Sequence, residues 1–216
     1  DKVVVFDLDD TLISEYDYLK SAYEEIANLV DCNNPKLLNR MLELYNLGSN
    51  VFDYIISNYE ACKLSTLLDI YRNHKPNINL KEGAIRLLKL CKDRGYVLGL
   101  ISDGRSITQR NKLKATSIEE LFDEIIISEE FGSEKPNEKN YMAFDKYNGQ
   151  KYYIADNTKK DFVTPNRLGW TTICLKDDGF NIHKQSFELD KEFLPQYIYT
   201  TLNEMENHFN NSLKEG

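Results

Sequence analysis

The 216 residues suffice for one large domain, or for a core domain with a smaller insert. At 41% hydrophobic and 29% charged, with a net charge of -8, the composition is globular and lacks the basic stripe of a nucleic-acid binder. Apolar runs such as Val3 to Phe6 and Val97 to Ile101 are far too short to span a bilayer, so neither a nucleic-acid polymer nor a membrane is an expected partner.

No signal-peptide pattern opens the chain, and its start at Asp1 without a methionine leads us to expect a trimmed N-terminus. The first strand is Val3 to Phe6, a β-branched run that ends in Asp7. Ser14 then starts a helix, with Asp17 three residues on in a capping-box arrangement. Tyr16, Leu19, Tyr23, Ile26, Ala27 and Val30 follow at helical spacing. Further amphipathic stretches run over Leu37 to Tyr45, Val51 to Tyr59 and Leu67 to Tyr71, so residues 15–74 read as an all-helical block.

After Pro76 helices and strands alternate. A helix over 82–94 ends at Gly95, and Val97 to Ile101 is a buried strand. Residues 105–115 are helical, and Ser117 with Glu120 is expected to cap a short turn before the strand Ile125 to Ile127. A helix after Pro136, the strand Tyr152 to Ala155, a helix near 160–168 and the strand Thr171 to Leu175 follow. Tyr197 to Tyr199 reads as an edge strand, with Thr201 and Glu204 capping a last helix. The alternation argues for an α/β fold: a parallel, Rossmann-like sheet with helices on both faces, plus the inserted helical block.

The chemistry gathers at strand ends. Asp7 and Asp9 lie two apart just past the first strand, and Ser102, Lys135 and Asp156 follow later strands. Parallel strands bring such ends to one rim, where ligands bind. Carboxylates crowded there repel; either some stay protonated or a cation holds them. Magnesium takes such oxygen ligands. Lys135 and Ser102 suit a phosphate, as a point charge and a hydroxyl donor, and backbone N–H groups at Leu8, Asp9 and Asp103 could complete a cradle. Singly these residues are ordinary: an Asp or Ser after a strand commonly caps the next helix, and a loop lysine is usually solvated.

His74, His183 and His208 show no ligand spacing and are expected at the surface, and Asp177-Asp178-Gly179 reads as a turn. Cys32, Cys62, Cys91 and Cys174 form no C-x-x-C pair; each reads as a small core residue in a reducing, cytoplasmic compartment.

Taken together, Asp7-Leu8-Asp9-Asp10-Thr11, Ser102, Lys135-Pro136 and the pair Asp156 and Asp161 resemble the four motifs of the haloacid dehalogenase superfamily, in its phosphatase branch. Leu100 to Arg105, with Gln109 and Lys112 beyond, is similar to the subgroup holding nucleotide and acyl-sugar phosphate phosphatases. The resemblance implies an α/β catalytic core over 1–13 and 77–216, with a helical cap over 14–76. It implies that Asp7 attacks phosphorus, and that Asp9 protonates the leaving oxygen and then activates water. Magnesium would be held by Asp7, the Asp9 carbonyl and Asp156, with Asp161 supporting the metal from behind or orienting Lys135. Glu15, Tyr16 and Tyr18, near the cap hinge, are candidates to touch the substrate. The expected activity is magnesium-dependent hydrolysis of a small phosphorylated metabolite through an aspartyl-phosphate. The alternatives are a phosphosugar mutase and a catalytically idle phospho-ligand binder. Nucleotides, sugar phosphates and flavin mononucleotide all remain open as substrates, and the oligomeric state is not readable.

Overall fold

A computed structural model describes residues 2–60 and 62–210; the last six positions assigned above to the core lie outside the described residues. The chain runs β1 (Lys2–Phe6), α1 (Glu15–Asp31), α2 (Leu37–Asn46), α3 (Val51–Asn58), α4 (Leu64–Asn73), α5 (Ala84–Asp93), β2 (Val97–Ser102) and α6 (Ser106–Ala115). It continues through β3 (Glu124–Ile127), α7 (Ser128–Phe131), α8 (Glu138–Met142), β4 (Gln150–Ala155), α9 (Val163–Arg167), β5 (Thr171–Leu175), β6 (Tyr197–Tyr199) and α10 (Leu202–Asn210). The six strands form one parallel sheet in the order β3-β2-β1-β4-β5-β6.

β1 lies in the middle, with Val4 level with Leu98 on one side and Tyr152 on the other. Because successive side chains alternate faces, Val4, Phe6, Leu98 and Ile154 enter one core with Leu87 of α5 and Phe209 of α10. Val3, Val5, Tyr153 and Ala155 enter the other, with Tyr141 of α8 and Trp170. Both faces are therefore covered, as a near-continuous apolar strand requires. Gly99 of β2 marks the tightest contact: a Cβ there would lie 2.3 Å from the Phe144 ring, so only glycine admits that ring.

Helices α1 to α4 pack around a third apolar cluster that includes Leu19, Tyr23, Ile26, Met41, Ile55 and Leu67. The chain leaves the sheet for these helices and returns at adjacent points. Ile13 bridges Leu80 antiparallel, and Lys81 N–H donates to the Leu12 carbonyl at 2.8 Å. At the far end of α4, the carbonyls of Arg72, Asn73 and His74 have no helical partner left. Side chains of α6 take them up: Thr108 donates to Arg72 O at 2.9 Å, and Asn111 donates to Asn73 O and His74 O at 3.1 and 3.2 Å.

Several expectations meet a different local structure. Ser117 caps nothing; its φ of 55° and the bond from Ser117 N–H to Lys114 O show that it closes α6 instead. α5 starts at Ala84 because Gly83 is left-handed, at φ 85°. α9 spans only five residues, because residues 157–161 are spent on a turn closed by Asp161 N–H and the Asn157 carbonyl. His74 is buried rather than at the surface, and His208 is part-buried among Tyr152, Tyr197 and Phe209. Cys32 is exposed and Cys62 only half-buried, whereas Cys91 and Cys174 are in the core. The caps at Ser14 and Thr201 form, accepting from Asp17 N–H and Glu204 N–H at 3.2 Å each. No helix among the described residues is long and apolar enough to cross a membrane.

Candidate active site

The site is built by the turn that follows β1. Asp7 N–H still donates to the sheet, to Ile154 O at 2.9 Å. The chain then coils on itself: the Leu8 carbonyl accepts from Leu12 N–H at 2.9 Å and from Ile13 N–H at 3.2 Å. Asp10 takes a left-handed φ of 57°, a costly conformation for a residue with a Cβ. Its carboxylate holds the turn in place, accepting from Glu15 N–H and Ile182 N–H, both at 2.9 Å. Asp7 and Asp9 are thereby held on a rigid loop.

Lys135 reaches in from the segment after α7 and is almost fully buried. Its ammonium lies 2.8 Å from Asp7 Oδ1, 2.9 Å from Asp161 Oδ1 and 3.2 Å from the Tyr153 hydroxyl. Burial pulls its pKa down, but Asp161 and Asp7 push it up and prevail, so Lys135 is a fixed positive charge. Asp156, one residue past β4, accepts from Asn181 Nδ2 at 3.0 Å and from the Thr11 hydroxyl at 3.4 Å. Asp103 accepts from Lys135 N–H at 3.0 Å and pairs with Lys160 at 2.7 Å. Ser102 is buried, its hydroxyl accepting from Gln109 Nε2 at 2.5 Å.

Asp7, Asp156 and Asp161 bring one carboxylate oxygen each within 4.8 Å of one another, and all three are buried. One lysine does not neutralise three carboxylates. Burial lifts Asp7 to about 7, with Lys135 opposing and Asp161 adding to the rise. Burial, then Asp7 and Asp161, push Asp156 well above the usual carboxylate range. A hard divalent cation suits this all-oxygen, electron-rich set and removes the repulsion.

A family profile described as haloacid dehalogenase-like hydrolase matches residues 4–174. The chain belongs to that family. Within the haloacid dehalogenase-like hydrolases it is 29% identical, over 81% of its length and 84% of the relative's, to a glyceraldehyde 3-phosphate phosphatase of Methanocaldococcus jannaschii. It is 28% identical to the enzyme of the same name from Pyrococcus furiosus, over 93% of this chain and 90% of that one. The fold aligns with a HAD phosphatase from Thermococcus onnurineus at a TM-score of 0.62 and 21% identity, covering 97% of this chain and 98% of that one.

Within this family member, Asp9 is held by α6. Its Oδ1 lies 2.7 Å from Lys112 Nζ, and its Oδ2 accepts from Gln109 Nε2 at 2.9 Å. Both partners are buried on α6, and the Lys112 ammonium also stands 4.4 Å from the Tyr18 ring centre. Of the three cap candidates, Glu15 and Tyr18 line the cavity beside Asp9. Tyr16 lines a separate cleft and packs against Phe180. Burial, then Asp9, raise Glu15 to about 8. The sequence reading gave no role to Asp10, Asn181, Lys112 or Gln109. The last two carried a signal: with Leu113 they form an inward helical spacing on which a lysine is out of place. Asn181 lies in a loop and carried none.

Proposed function

We propose that this chain is a magnesium-dependent phosphatase of small phosphomonoesters that works through an aspartyl-phosphate on Asp7. The observation that carries the proposal is the grouping of Asp7, Lys135, Asp156 and Asp161 at the strand ends, with Asp9 two residues from the nucleophile and turned toward an open cavity. The phosphatase names of the relatives support it.

In the proposed reaction a carboxylate oxygen of Asp7 bonds to phosphorus while the ester P–O bond breaks. The departing alkoxide takes a proton from Asp9. Water then attacks phosphorus, giving its proton to Asp9, and the bond from phosphorus to Asp7 breaks to release phosphate and restore the carboxylate. Lys135 neutralises the phosphoryl oxygens and is itself oriented by Asp161; Ser102 and the N–H groups of Leu8, Asp9 and Asp103 bind the remaining oxygens. Asp7, Asp156 and the Asp9 carbonyl would hold magnesium, which supplies charge neutralisation to the phosphoryl group. Residues 14–76 serve as a cap over the site, hinged where Ile13 meets Leu80. The free thiols of Cys32, Cys62, Cys91 and Cys174 fit a reducing, cytoplasmic setting.

The test is phosphate release from a panel of phosphorylated metabolites with magnesium present. Asp7→Asn should lose at least about a thousandfold in kcat with an unchanged circular dichroism spectrum. Activity near wild type in that variant overturns the proposal.

A further inference from the structure

Asp9, Glu15 and Asp103 stand where two cavities meet. One is a polar pocket of about 80 Å³ that includes Asp7 and Asp156, a size suited to a phosphoryl group, with Lys135 and Lys160 as its cations. The other is a chamber of about 510 Å³ between helices α1 to α4 and α6. With phosphorus beside Asp7, an ester oxygen would pass Asp9 and the rest of the alcohol would enter the chamber.

The chamber is poorly matched to a three-carbon alcohol. Its volume falls in the range of sites that hold drug-sized ligands, about 300–1,000 Å³. Tyr18, Tyr23, Tyr45, Phe52 and Tyr71 line it. The Tyr23 ring centre lies 6.3 Å from that of Phe52 and 6.4 Å from those of Tyr45 and Tyr71, so the rings form one continuous wall. Leu19 and Leu68 extend it. Asp9, Gln109 and Lys112 are engaged with one another, Asp103 with Lys160 and Arg105 with Glu129, so Glu15 and Arg72 are the charged side chains of the lining in no ion pair among the described residues. A pyranose brings a hydroxyl on nearly every carbon, each needing a partner once buried. A flat ring with a few heteroatoms covers an aromatic wall and needs few.

We infer that the substrate is a phosphomonoester whose alcohol carries a planar heteroaromatic ring, seated against Tyr23, Phe52 and Tyr71 beside Asp9. This rests on the phosphatase function proposed above and specifies its leaving group. Nucleosides and pyridoxine-like alcohols share this chemistry, and the assay arms separate them.

The experiment measures kcat/KM for the full chain with magnesium on adenosine, guanosine, cytidine and uridine 5′-monophosphates and on pyridoxal 5′-phosphate. Glyceraldehyde 3-phosphate, glycerol 3-phosphate and glucose 6-phosphate are the non-aromatic arms, and acetyl phosphate reports hydrolysis as such. At least one ring-bearing ester should exceed every non-aromatic metabolite by about tenfold or more. Tyr23→Leu and Phe52→Leu should each cut the ratio of the best ring ester to glycerol 3-phosphate by at least about fivefold. Because Tyr23 is buried, a second measurement uses the wild type alone: the matching dephosphorylated ring alcohol should inhibit competitively at concentrations where glycerol and glucose do not. A triose or pyranose ester preferred over every ring ester, or ring alcohols no better than glycerol as inhibitors, overturns the inference and leaves the phosphatase standing. Failure to hydrolyse any of these compounds, acetyl phosphate included, overturns both.

Discussion

Lys112 holds Asp9 by charge: its ammonium lies 2.7 Å from the carboxylate, on a side chain that is almost wholly buried. The two residues come from different parts of the core, the loop after β1 and the second half of α6. With Gln109 on the other oxygen, both lone-pair edges of Asp9 are fixed by one helix.

Removing that anchor should damage the proton-transfer steps. Lys112→Met is expected to lower kcat by about a hundredfold, the lower end of what a positioned acid–base contributes, with a smaller change in KM. The pH–rate profile should also move, because the group that orients Asp9 has changed. Lys112→Arg should recover part of the rate by restoring the charge. A Lys112→Met enzyme with the wild-type kcat and pH profile shows that the contact is idle.

Asp9→Asn should separate the two halves of the reaction. Attack by Asp7 on an activated ester such as 4-nitrophenyl phosphate needs little help for the leaving group. Breakdown of the acyl phosphate has lost its base, so the phosphorylated protein should accumulate. Rapid acid quench with labelled ester measures it; equal slowing of both steps counts against the role given to Asp9.

Metal binding should register as stability, independent of turnover. Three buried carboxylates around one lysine repel, so magnesium should raise the melting temperature, by about 2.7 kcal/mol of stability at a hundred times its dissociation constant. Asp156→Asn should abolish most of that rise. Calcium, which accepts longer and bidentate carboxylate contacts, should stabilise the fold yet inhibit against magnesium. A chelator-treated protein with full activity removes the metal from the mechanism.

His74 predicts a pH effect on folding. It is buried at the end of α4, with Nδ1 3.3 Å from Tyr71 O and Nε2 3.2 Å from Ser21 Oγ, and Asn77 N–H already donates to that hydroxyl. The neutral ring with its proton on Nδ1 satisfies all three contacts, since a carbonyl only accepts. Burial accordingly lowers the His74 pKa from its ordinary value of 6.5, with the contact to Tyr71 O opposing. A depressed histidine gives stability that is fully present above the unfolded value and lost as pH falls below it. Buried carboxylates such as Glu15, raised to about 8, act in the opposite sense, so the readout is a difference. Between pH 7.5 and 5.5 the melting temperature of wild type relative to His74→Gln should fall. Parallel melting curves across that range contradict this account.

The sheet and its strand-end carboxylates were legible because each rests on a short-range signal: a short apolar or aromatic run that stops at an acidic residue. Asp7 and Asp156 converge because the parallel neighbours β1 and β4 end together, and Lys135 joins them from the segment after α7. The four helices after β1 were legible from their spacing, and the ends of α1 and α10 from their caps. Contacts that join distant elements were not. The Ser117-Glu120 pattern is a capping box in form, yet the end of α6 claims Ser117 first. His74 looks like a surface residue until Ser21 and Tyr18 close over it. Lys112 entered the sequence reading only through a resemblance, because its partner Asp9 lies more than a hundred residues earlier.

The central place of β1 also governs how the molecule must assemble. During synthesis β1 has no partner at hand: its neighbours begin at Val97 and Gln150. Until Ala155 has been made, β1 cannot pair on both edges, and its valines have neither of their two cores. Helices α1 to α4, whose contacts are local, can collapse around their own cluster in the meantime. Folding should therefore run in two phases, a fast one in the helices and a slow one in the sheet. The nascent chain's exposure to aggregation is set by how long a single apolar strand has to wait.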